Sequence, residues 1–154
     1  MRAYDPQKAE RVWQRVQGSQ EETKQVRRNE NLQELIMNEW TAAATYLRLA
    51  RQMPPKEAAV LQRLGNEEQT HAACLKGIYT LITGEKAVTR SPQQETGTAE
   101  VTLRRCYGWE MRSLKEYEAR TDDPEYGHVF ARLAEQEREH CRLVLEMLGR
   151  LERK

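Results

Sequence analysis

Aspartate is nearly missing from this chain of 154 residues: Asp5, Asp122 and Asp123 stand against 21 Glu. Cysteine is scarce too. Cys74, Cys106 and Cys141 form no CxxC pair, and an odd, scattered set argues against both a disulfide framework and a cysteine-built zinc or iron site. Charge of one sign is missing, since 25 Lys+Arg and 24 Asp+Glu leave a net charge of +1. Nucleic acid and anionic membranes are therefore not expected as partners. No apolar run approaches the roughly 20 residues that span a bilayer. The stretch from Met1 to Pro6 has no apolar signal-peptide core, so a cytoplasmic protein is expected. Runs of β-branched residues are absent as well, which leaves little from which to build strands.

What is abundant favours helix: Glu, Arg, Leu, Ala and Gln. Asp5-Pro6 supplies a cap and a first-turn proline for a short helix over 5–17, with Ala9, Val12, Trp13 and Val16 in an apolar stripe. Gly18-Ser19 is expected to end it, and the polar stretch 18–30 reads as a linker with room for some helix. The stripe is too short to be stable alone, so it is expected to dock on a bundle, its own or a partner's, and to support a homodimer.

Four longer helices follow. The first, about 31–52, opens on a capping box of Asn31 and Glu34 and turns Leu32, Leu35, Ile36, Glu39, Ala43, Tyr46 and Leu47 to one face. Pro54-Pro55 opens the second, about 55–83, whose face carries Val60, Leu61, Leu64, Glu68, His71, Leu75, Ile78, Tyr79 and Ile82 before Gly84 closes it. The third, about 99–121, aligns Leu103, Cys106, Tyr107, Glu110, Leu114 and Tyr117. The fourth, about 125–151, aligns Phe130, Leu133, Ala134, Glu137, His140, Val144, Met147 and Leu148. The first pair and the second pair are joined tightly, as antiparallel neighbours are. The link 84–98 is long. Its reach of about 50 Å exceeds the length of the second helix, about 40 Å, so it can cross the bundle. The expected fold is all-α: a ferritin-like four-helix bundle with one long crossover, residues 31–151, preceded by an N-terminal helix and linker, residues 1–30.

Each apolar face is interrupted by groups that do not belong in a core: Glu39, then Glu68 and His71, then Glu110, then Glu137 and His140. A buried carboxylate must be paired or bound to metal. Spacing alone is weak support in so Glu-rich a chain, because all three histidines have Glu three residues before them. The third case, Glu125-x-x-His128, sits in a first turn after Pro124 and is set aside. An internal repeat selects the other two. Leu32, Glu39, Tyr46, Leu64 and Glu68-x-x-His71 match Leu103, Glu110, Tyr117, Leu133 and Glu137-x-x-His140. The Glu-to-Tyr step is the same in both halves, 39 to 46 and 110 to 117. Glu-x-x-His places an oxygen and a nitrogen ligand on one helix face. Two such helices plus one Glu from each of the others make the ligand set of di-iron and di-manganese carboxylate bundles. Four carboxylates balance two divalent ions, and the mix of imidazole and carboxylate suits iron or manganese.

These motifs resemble the rubrerythrin type within the ferritin-like superfamily, over about 31–151: Asn38-Glu39-Trp40, the run Asn66 to His71, the run Trp109 to Tyr117, and Glu137 to His140. The resemblance implies metal ligands at Glu39, Glu68, His71, Glu110, Glu137 and His140, holding two iron ions, with manganese possible. Paired Glu-x-x-His is shared with bacterioferritins. The chain departs from rubrerythrins at Ser113, where they usually carry another carboxylate, and therefore from a mechanism in which an iron exchanges a histidine for that carboxylate. It also lacks the four-cysteine rubredoxin domain that often admits electrons, so an external electron-donor protein is expected.

Tyr46 and Tyr117 can lean toward the metal layer and hydrogen-bond a ligand carboxylate, or simply fill core. With Asp missing from the inner faces, the outer nitrogens of His71 and His140 are expected to bond Glu, a backbone carbonyl or water. Cys74 and Cys106 read as small apolar residues, and Trp13, Trp40 and Trp109 as packing residues. Three functions compete. The first is a non-haem di-iron oxidoreductase that reduces hydrogen peroxide or O₂. The second is a ferroxidase of an iron-storage shell, disfavoured because the expected extra helix is N-terminal and not C-terminal. The third is a metal-binding bundle without catalysis.

Overall fold

A computed structural model describes residues 5–92 and 97–153. Residues 1–4, and residues 93–96 of the expected crossover, lie outside the described residues. Four helices make up the fold: α1 (Pro6–Ala50), α2 (Pro55–Thr83), α3 (Ala99–Glu118) and α4 (Gly127–Glu152). No strand occurs among the described residues, and no helix among them is long and apolar enough to cross a membrane.

The N-terminal reading needs correction. The short helix over 5–17, its stop at Gly18-Ser19, the linker 18–30 and the capping box at Asn31 are all replaced by one helix running from Pro6 to Ala50. Asp5 caps it, its Oδ1 accepting from the amides of Gln7 and Lys8. A glycine inside a helix costs only about 1 kcal/mol, and no proline follows Gly18 to make the stop binding. Good helix formers on both sides carry the helix through, helped by surface pairs such as Lys24–Glu21 at 3.0 Å. Residues 5–28 are all exposed, so the first half of α1 is an arm that leaves the bundle. It does not dock on its own bundle.

From Leu32 onward α1 packs. It lies against α2, α3 lies against α4, and the two pairs meet through α1 with α3 and α2 with α4. The link after α2 runs back along α1. Gln33 exchanges two hydrogen bonds with the Val88 backbone, at 2.6 and 2.9 Å, and the Arg90 amide reaches Met37 Sδ at 3.4 Å. The crossover thus returns the chain to the Ala50 end, and α3 starts beside the start of α2. Gly84 ends α2 with φ +73°, a conformation open to glycine and costly for other residues.

Two apolar clusters fill the interior. One joins Tyr46, Leu49, Leu61, Leu64, Leu103, Val144 and Met147. The other joins Leu32, Leu35, Ile36, Leu75, Ile78, Phe130 and Leu133. Ile82, expected inside, is 40% exposed in the last turn of α2. The fourth helix begins at Gly127, later than expected, because Asp123 Oδ1 caps the amides of Glu125 and Tyr126 and holds that stretch as a turn. A Cβ at Gly127 would run into the Thr121 carbonyl oxygen, which is backbone and cannot swing aside. Gly127→Ala is therefore expected to lower stability by about 1–3 kcal/mol, as overpacking does. Urea unfolding checks this.

Candidate metal centre

Between the two apolar clusters lies a polar layer. Glu39 of α1, Glu68 and His71 of α2, Glu110 of α3, and Glu137 and His140 of α4 are each at most 2% exposed. The helical repeat puts them there. Each sits on the apolar face of its helix, one or two turns from a leucine that faces the core. All six sequence-derived candidates meet in this one layer, while Glu125 and His128 are exposed at the start of α4, away from it.

The layer has an approximate two-fold plan. The imidazoles of His71 and His140 stack with ring centroids 5.3 Å apart and planes 17° from parallel. Both turn Nδ1 toward the carboxylates. Glu68 spans them, with Oε2 at 3.0 Å from His71 Nδ1 and Oε1 at 2.8 Å from His140 Nδ1. Glu137 spans them as well, at 2.8 Å from His71 Nδ1 and 3.6 Å from His140 Nδ1. Glu39 flanks the His71 side at 3.8 Å, and Glu110 flanks the His140 side at 3.4 Å. Donor atoms of Glu68, His71, Glu137 and His140 all lie within 4.8 Å of one another.

Hydroxyls from the opposite half hold the flanking carboxylates. Tyr46 of α1 donates to Glu110 Oε1 of α3. Tyr117 of α3 donates to Glu39 Oε1 of α1 at 2.7 Å, and Ser113 donates to the same oxygen at 2.8 Å. Burial, reinforced by the facing carboxylates, raises both phenols well above their usual range, so each keeps its proton to donate.

The outer nitrogens are held across the halves too. His140 Nε2 donates to Glu67 Oε2 at 2.7 Å, and His71 Nε2 donates to Gln136 Oε1 at 2.8 Å. The side-chain amide of Gln136 is a correction to the expected choice of Glu, backbone carbonyl or water. Glu67 and Gln136 went unread as site residues, and Ser113 was read only as a missing carboxylate. The available signal was positional: Glu67 and Gln136 each directly precede the Glu of a Glu-x-x-His. No disulfide joins the three cysteines; Cys106 and Cys141 are buried and Cys74 is half-buried. Trp109 packs against the first cluster, Trp40 lies under the Lys76 ammonium at 4.6 Å, and Trp13 is 59% exposed on the arm.

The layer's electrostatics test whether it suits cations. Burial first, then the neighbouring carboxylates Glu68 and Glu137 respectively, raises Glu39 and Glu110 to about 8. Burial works against charging His71 and His140, yet the surrounding carboxylates overcome it and raise both imidazoles above their usual range. Protons thus gather on the ligand set. Even so, neither oxygen of the fully buried Glu137 accepts a well-formed hydrogen bond; His71 Nδ1 is close to one of them, but its proton is directed at Glu68. Buried carboxylate oxygens without a well-formed donor, four carboxylates facing two imidazoles, suit an added cation. Hard oxygen donors with imidazole nitrogen, closed off from bulk water, fit divalent iron or manganese.

A cleft of about 370 Å³ between α2 and α4 is lined by Thr70, His71, Cys74, His128, Arg132 and Gln136, among others, and so runs up to the edge of the layer.

A family model described as Rubrerythrin matches residues 30–148. No curated protein and no solved structure matches the chain.

Proposed function

Since the chain belongs to the rubrerythrin family, we propose that it is a cytoplasmic di-iron oxidoreductase that reduces hydrogen peroxide to water, with O₂ as a slower oxidant. In this reading Glu39, Glu68, His71, Glu110, Glu137 and His140 hold two iron ions, with manganese the alternative occupant. The observation that carries it is the repeated Glu and Glu-x-x-His set closing into one buried layer, with two carboxylates spanning both imidazoles. Four carboxylate charges match two divalent ions, whereas one ion would leave half of them unbalanced in a medium that tolerates little charge.

When bound, the reduced pair of ions supplies the two electrons that, with two protons, turn one hydrogen peroxide into two waters. The chain's own groups do the rest. Tyr46 and Tyr117 keep Glu110 and Glu39 oriented by donating protons that they do not release. Glu67 and Gln136 fix the imidazoles so that Nδ1 faces inward. The cleft beside His71 offers a small oxidant a route toward the layer. No CxxC pair is present to relay electrons, so in this reading the electrons come from a separate redox protein. Three cysteines without a disulfide suit a reducing compartment.

Stopped-flow absorbance of the anaerobically reduced, iron-loaded protein tests this. One equivalent of peroxide per centre is expected to oxidise it quickly and once, O₂ more slowly, and repeated turnover only with an added electron donor. Faster oxidation by O₂, with a mineral core growing on added iron, would assign a ferroxidase instead. No oxidation by either would leave a metal-binding bundle without this activity.

A further inference from the structure

The arm of α1 carries a second pattern that the metal layer does not use. Ala9, Val12, Val16, Ser19, Thr23 and Val26 recur at alternating steps of three and four, a heptad seam of period 3.5. All six are exposed, Val26 by 55% and Val12 by 53%, on a stretch in which residues 5–28 are all exposed. Two of the six bear hydroxyls, but Thr23 Oγ1 already donates to the Ser19 carbonyl at 2.9 Å. Its proton is satisfied inside its own helix, so it can enter an apolar seam without leaving a buried donor unpaired.

We propose that this seam is the interface for a second copy of the same chain, with the two arms packed antiparallel. The sequence is complementary to itself in that register. Ala9 then faces Val26 of the second copy, Val12 faces Thr23, and Val16 faces Ser19, and the symmetry repeats each pair. Every layer sets one valine against one small or hydroxyl-bearing residue, so the layers are even in volume and the helices can approach closely. Charge agrees. Arg15 and Glu22 flank the seam on one side, and the antiparallel register puts Arg15 of each copy beside Glu22 of the other, twice per dimer. Arm length agrees as well. Pro6, where the helix starts, falls beside Asn29 of the second copy, just short of Leu32, the first buried residue of the bundle. The second copy thus covers the arm to its base and meets a cleft there lined by Val26, Asn29, Glu30, Gln33 and Tyr79. The two bundles end at opposite ends of the paired arms. This interface is independent of the metal assignment.

The test uses the full-length chain and its charge-swapped variants in sedimentation equilibrium. Wild type is expected to be a dimer. Arg15→Glu and Glu22→Arg, each placing like charges together twice, are expected to weaken the dimer by about tenfold or more. Mixing these two variants, or combining both changes in one chain, is expected to restore it. Residues 15 and 22 are two turns apart on one helix, about 10 Å, so a rescue reports contact between copies. Orientation is read by cross-linking under mild oxidation against a wild-type control. Ala9→Cys and Val26→Cys chains are expected to form a covalent dimer when mixed and none when alone, because Val26 lies about 25 Å from its own equivalent in this register. A monomeric wild type at about 100 μM, a weak interaction by any standard, overturns the proposal. So does a dimer indifferent to both charge changes, or cross-linking of each cysteine variant with itself, which marks parallel arms.

Discussion

Replacing Glu68 or Glu137 with alanine is expected to cost the chain at least one of the two metal ions proposed for the layer. Each of these carboxylates reaches both imidazoles, Glu68 at 3.0 and 2.8 Å and Glu137 at 2.8 and 3.6 Å, so each serves both halves of the layer. Alanine removes an oxygen donor from both positions at once and takes away one of the four charges that balance the ions. Glutamine at 68 keeps one oxygen and the volume but not the charge, and an intermediate loss is expected. Glu125→Ala is the control. It belongs to the third Glu-x-x-His, is exposed, and lies away from the layer, so its metal content should equal wild type. Metal analysis of protein purified without added metal reads all four. Unchanged stoichiometry in both alanine variants would reject the site.

The second large effect is a reversal of pH dependence when metal is removed. Glu39 and Glu110 have folded values of about 8 against an ordinary 4.5. A raised carboxyl contributes its stability fully below the unfolded value and loses it as pH climbs to the folded one. Between pH 4.5 and 8 the metal-free fold therefore gives up about 1.4 kcal/mol per pH unit for each such group, as an order of magnitude. The imidazoles of His71 and His140, also raised, add to the decline above pH 6.5. Bound cations take the place of those protons, and binding releases them, so the loaded protein gains relative to the metal-free one as pH rises. Chelator-treated protein is expected to melt lower at pH 8 than at pH 5, with the gap to loaded protein widening over that span. A metal-free melting temperature that is flat or rising across it would contradict the electrostatics of the layer.

Much of this was readable in the chain before any coordinates. The four bundle helices follow from apolar spacing, and the crossover follows from the length of the link set against the length of a helix. The six candidate ligands follow from a repeat. An interruption such as Glu39 among leucines is a local fact, and its recurrence at Glu110 with the same step to tyrosine is an arithmetical one. Periodicity reports which way a residue faces on its own helix, and for these positions facing inward was nearly the whole answer.

What only the tertiary structure decided concerns partners on other helices, and the fate of a helix at a weak signal. That Tyr117 serves Glu39 and Tyr46 serves Glu110, each across the halves, depends on how α1 meets α3. The same is true of Ser113, which read as a missing carboxylate and is a hydroxyl donor to Glu39, and of Gln136 on His71. Spacing within one helix holds no record of the neighbour's register. At Gly18 the chain offered a residue that ends helices in some settings and is tolerated in others. The difference is about 1 kcal/mol, small enough for the flanking helix formers and the packed bundle beyond Leu32 to settle. By itself the sequence determined an all-helical bundle with a charged layer in its middle, because burial pattern and repeat are written along one strand of chain. The tertiary structure determined which hydroxyl, amide and carboxylate hold that layer, and that the arm stands free, because those are relations between surfaces that lie far apart in sequence.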